Sequence, residues 1–165
     1  MDIILALQIV ITGIGATLTM DLWSLGQKHI LNIPPLNYSL VGRWILWIPR
    51  GKLSHRTIVS TSPVRGEIFT GWAFHYLTGL LFASVPIMLN GSAWFHEPSL
   101  LTGLLTGLLT LPAPLMILQP AFGFGIAASR TPRPWLARLL SLLTHLIYGV
   151  GLYSSTTVLL SFSQH

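Results

Sequence analysis

Apolar and polar positions divide this chain into four long apolar runs, at residues 3–25, 68–89, 99–128 and 139–162. Polar connections separate them. At ~1.5 Å of rise per residue, about 20 apolar residues wound as a helix cross the roughly 30 Å of a bilayer's hydrocarbon core. Each run therefore predicts a transmembrane helix. Small or polar residues recur at four-residue spacing, which gathers them on one helix face. The sets are Gly13, Thr17 and Asp21; Gly71, His75, Gly79 and Ala83; Thr102, Thr106 and Thr110; and Ser141, His145 and Gly149. Gly103 and Gly107 add a second small pair to the third run. In lipid such faces let backbones approach, because packing replaces the hydrophobic effect. Thr12-Gly13 answers Thr102-Gly103, as a parallel repeat of two-helix units would require. The third run should break near Pro112–Pro114 and leave through a glycine-rich exit around Gln119, and Pro86 should bend the second.

The first connection, residues 26–66, is the longest and is broken by Pro34-Pro35 and Pro49. Its apolar stretch, residues 40–48, is too short to span. Arg43, Trp44 and Trp47 suit an amphipathic interfacial segment, with indoles at the boundary and the guanidinium towards phosphate. An ordinary loop packed on the helices is the alternative. The opening run reads as a helix and not a leader: Asp2 replaces a positive start, and no small-x-small site ends the apolar stretch.

Composition turns these elements into a fold class. The chain has 165 residues, sufficient for a single integral membrane domain over residues 1–165. Charged residues make up 8% against about 25% in soluble domains, so the surface must face lipid. The expected fold is all-α: a polytopic four-transmembrane-helix bundle with the interfacial segment in its first cytoplasmic loop. The absence of cysteine excludes disulfides and thiolate chemistry. All nine Lys/Arg lie in the first and third connections. The positive-inside bias puts those connections in the cytoplasm and both termini in the periplasm. The same pattern assigns the basic excess to anionic lipid headgroups and not to nucleic acid.

Each run carries a polar group towards the cytoplasmic half: Asp21, His75, Gln119 and His145. Intramembrane ionisable groups face a protein interior or a wet cavity. Several readings follow: a hydrogen-bonded knot that sets helix register, a cavity for transport or proton movement, a divalent transition metal on Asp21, His75 and His145, or a haem on His75 and His145. Glu67 opens the second helix, where capping or pairing with Arg65 or Arg43 is expected. His29, His55 and His165 read as solvated. No Gly-x-Ser-x-Gly elbow or phosphate-cradling loop is present, which argues against a hydrolase triad and a phosphate site; a non-enzymatic role is favoured and an enzyme stays open.

A further set of short pieces runs along the chain: Met20-Asp21-Leu22-Trp23, Gly42-Arg43-Trp44, Gly66-Glu67, Gly71-Trp72, His75-Tyr76, Gln119-Pro120-Ala121, Tyr148-Gly149 and Gly151-Leu152-Tyr153. Together they resemble a family of small multi-span bacterial inner-membrane proteins of unknown function. The resemblance implies that location and no activity. The functional expectation is a small transport, permeation or accessory membrane module, able to self-associate through its glycine faces. A metal- or haem-binding redox protein is the alternative.

Overall fold

The computed structural model describes residues 3–163; Asp2 and His165, on which two readings above rest, lie outside them. The described residues form helices and connecting turns, with no strand. In chain order the helices are α1 (Ile3–Leu31), α2 (Tyr38–Trp47), α3 (Glu67–Phe82), α4 (Val85–Asn90), α5 (Leu100–Thr110), α6 (Gln119–Ala121) and α7 (Pro134–Ser163). Among the described residues, four helical segments are long and apolar enough to cross a membrane: Ile3–Ile30, Glu67–Phe95, Leu100–Ala121 and Pro134–Ser163. This is the make-up of a multi-pass membrane protein. The second is interrupted at Ala83–Ser84, just before Pro86, which supplies no N–H to continue α3.

The chain divides into two compact units. The first gathers Met1–Pro35, Tyr76–Thr110 and Leu143–His165. Its helices meet through glycine. A Cβ at Gly13 would stand 3.0 Å from the Leu80 side chain and 3.1 Å from that of Ala83. Gly103 and Gly149 meet backbone to backbone, and Gly107 lies against the His145 carbonyl. Thus Gly13 packs α1 on α3, and Gly103 packs α5 on α7. Buried threonines satisfy their hydroxyls on their own helix: Thr12 donates to the Gln8 carbonyl at 2.8 Å, Thr17 to Gly13 at 2.7 Å and Thr106 to Thr102 at 2.9 Å. The polarity is inverted relative to a water-soluble core. Thr12, Thr17, Thr106 and Thr156 are buried, whereas Leu77 is 63% exposed and Leu101 65%. Trp94 and Phe95, in the turn after α4, are buried in the cluster of Ala16, Ala83, Tyr148 and Leu152.

The second unit gathers Leu36–His75 and Leu111–Leu142. Helix α2 begins at Asn37, whose side chain accepts the Ser39 N–H at 3.1 Å. It runs antiparallel to the opening of α3: Gly42 lies against the Glu67 carbonyl, and Gly71 against that of Tyr38. Only glycine fits at either position. The loop after α2 is pinned at several points. Trp44 Nε1 donates to the Leu53 carbonyl at 2.9 Å, and the His55 and Ile58 amides donate to the Ala121 and Phe122 carbonyls, both at 2.9 Å. Ile58 is fully buried with Val41, Ala121 and Phe122.

The break expected near Pro112–Pro114 is present. A π-helical turn covers Ala113–Leu118, in which the Gln119 N–H reaches back five residues to the Pro114 carbonyl. Prolines cannot donate, and the wider turn reassigns the acceptors they leave. The exit follows at Gly123 and Gly125, with φ of 85° and 76°.

Candidate functional site

In the second unit Arg43 is held by four hydrogen bonds. Its Nε donates to Glu67 Oε2 and its Nη2 to Glu67 Oε1, each at 2.8 Å, while Nη1 donates to the carbonyls of Ile58 at 3.2 Å and Thr61 at 2.8 Å. The Val64 N–H also donates to Glu67 Oε2, at 2.9 Å. Glu67 therefore pairs with Arg43, one of the partners its place in the sequence implied, and also holds the Val64 amide ahead of α3. Hydrogen bonding to Glu67 raises the guanidinium pKa above its ordinary value. The expectation that Arg43 points to phosphate is corrected. The side chain is buried, because a carboxylate and two loop carbonyls give it acceptors inside the protein.

Beside this knot, the Tyr38 and His75 rings stack with centroids 4.1 Å apart, and Trp72 meets His75 edge-on at 5.7 Å. His75 is buried. Gln119 Nε2 donates to Ser141 Oγ at 3.4 Å, while its Oε1 is buried with no hydrogen-bond partner.

His55 corrects a second expectation, since it is half-buried and not solvated. The Thr61 hydroxyl donates to the Thr57 carbonyl at 3.0 Å, so its oxygen accepts the His55 Nδ1–H at 3.1 Å. That tautomer leaves Nε2 as a bare acceptor, and it is buried with no hydrogen-bond partner. Burial, with Lys52 as the lesser cause, holds the imidazole pKa below its ordinary value. His29 is exposed, as the sequence implied.

In the first unit, Tyr76 donates its phenolic O–H to Asp21 Oδ2 at 3.1 Å, and Tyr148 donates to the Gly79 carbonyl at 2.6 Å. The Thr110 hydroxyl donates to the Thr106 carbonyl at 2.9 Å, which assigns the 3.0 Å contact with His145 Nδ1 as imidazole donating to hydroxyl.

The structure thus gives each site residue a named neighbour: Asp21 has Tyr76, His145 has Thr110, His75 has Tyr38 and Trp72, and Gln119 has Ser141. Among the described residues no three His, Cys, Asp or Glu side chains gather closely enough to hold a metal ion. From sequence, Tyr38, Tyr76, Thr110 and Tyr148 carried no role in the site. The signal available for Tyr76 and Tyr148 was that a phenol inside an apolar span has to find an acceptor.

No curated protein and no solved structure matches the chain. One family model covers most of it, residues 10–159. With its short pieces spread from α1 to α7 and its four apolar spans, the chain belongs to the family described as protein of unknown function (DUF2938).

Proposed function

We propose that this protein is an accessory module of the bacterial inner membrane, one integral domain that binds other membrane components and carries out no chemistry itself. Both termini face the periplasm, and the connections bearing Lys and Arg face the cytoplasm. Asp21, His75, Gln119 and His145 act as polar ties that fix helix register, and Trp44 and Trp47 mark the headgroup boundary. The observation that carries this reading is the inverted polarity of the first unit: glycine and back-bonded threonine inside, leucine outside. Those glycine faces are taken up within the chain, and the exposed leucines suit lipid or another membrane helix.

The test is cross-linking in native membranes followed by purification. A stoichiometric partner or a defined homo-oligomer is the expected result. A monomer with no partner under several cross-linkers counts against it.

One observation favours transport as a second reading. The Tyr76–Asp21 hydrogen bond joins two ionisable groups within candidate spans, where such groups mark ion and proton paths. Proton flux in proteoliposomes that is abolished by Asp21→Asn would replace the accessory role with this one.

A further inference from the structure

The indole of Trp47 carries two cations. Arg50 Cζ stands 4.8 Å and Lys52 Nζ 4.5 Å from its ring centroid, while its Nε1 donates to the Ser62 carbonyl at 3.4 Å. Ring attraction draws both cations to one group, although like charges repel. Their own unit offers no carboxylate to relieve this. Eight of the nine Lys/Arg fall in it, against the single acid Glu67. Both Glu67 oxygens are engaged by Arg43, and one of them also by the Val64 amide. The natural counter-ion is therefore an anion from outside this unit.

The surroundings indicate which anion. The loop backbone is tied down through Trp44, Arg43 and the His55 and Ile58 amides. Yet Leu53 is 68% and Val59 63% exposed on it, with Arg50, Lys52 and Arg56 exposed as well. A rigid loop presenting cations and bare aliphatic side chains together fits the boundary between headgroup and acyl chain. Arg supplies a planar fork for phosphate oxygens, and Lys a compact charge. We propose that Arg50 and Lys52, positioned on Trp47, bind the phosphate of an anionic phospholipid headgroup, while Leu53 and Val59 enter the acyl boundary.

The proposal rests on the membrane reading above, which is checked separately by recovery of the protein in carbonate-washed membranes. The lipid test uses the full chain in mild detergent, with native mass spectrometry of retained phosphatidylglycerol against phosphatidylcholine. Wild type should retain phosphatidylglycerol selectively. Arg50→Gln/Lys52→Gln, at exposed positions, should weaken retention about thirtyfold at about 1 kcal/mol per basic residue. Trp47→Leu, which keeps both charges, should weaken it less. The charge-matched Arg130→Gln/Arg133→Gln, which removes general charge and leaves the Trp47 pair intact, should weaken retention clearly less. Equal loss in both double variants would reduce the effect to general charge and overturn the site. Undiminished retention in Arg50→Gln/Lys52→Gln, or full displacement of the lipid by inorganic phosphate, would overturn it too.

Discussion

Arg43 and Glu67 meet as a two-pronged fork, Nε on Oε2 and Nη2 on Oε1, both at 2.8 Å. The pair joins α2 to the start of α3 and, through Nη1, fixes the loop at Ile58 and Thr61. Removing one partner leaves a buried charge uncompensated. Glu67→Ala should therefore cost about 3 kcal/mol in unfolding from mixed micelles. Arg43→Met with Glu67→Met should cost less than the two single changes added together. Additive losses would mean that the fork holds nothing jointly.

Gly42 and Gly26 both lie in helices but should respond oppositely to alanine. A Cβ at Gly42 would collide with the Glu67 backbone, whereas one at Gly26 meets nothing within 4 Å. Gly42→Ala should destabilise by ~2 kcal/mol through overpacking. Gly26→Ala should stabilise by about 1 kcal/mol, because alanine loses less backbone entropy on entering a helix. Melting temperatures moving in opposite directions are the readout.

His55 predicts a pH dependence. Its folded pKa is depressed, so between that value and the unfolded value of about 6.5 the unfolded chain holds more protons than the folded one. Stability contributed by the neutral ring is complete above about pH 6.5 and declines as pH falls. Melting curves at about pH 7.5 and about pH 5.5 should differ more for wild type than for His55→Asn. An unchanged difference would place the effect on other groups.

Tyr148→Phe tests the tie between α7 and α3. The Gly79 carbonyl that accepts the phenol at 2.6 Å also accepts the Ala83 amide at 3.0 Å, so it keeps one partner in the variant. The loss should be about 1 kcal/mol, in the range of interhelical hydrogen bonds in membranes. A loss several times larger would mean that the phenol also holds something besides that carbonyl.

How much of this was legible without coordinates follows from which forces act locally. The four spans, the proline break before Gln119 and the glycines at helix contacts could be read because length, hydropathy, missing N–H groups and missing Cβ atoms are properties of neighbouring residues. The reciprocal use of Gly103 and Gly149 was foreshadowed by spacing alone. Polar partners were another matter. Arg43 was read as facing phosphate and His55 as facing water, yet each turns inward to acceptors 15 to 24 residues away or into a folded loop.

The sequence by itself determined that the chain is built from apolar helices with small residues along their faces, since lipid as solvent permits little else. Tertiary structure alone decided that Tyr76 serves Asp21, Thr110 serves His145 and Tyr38 covers His75. A buried polar atom takes whichever partner the packing brings within about 3 Å, and that choice is made between helices and not along them.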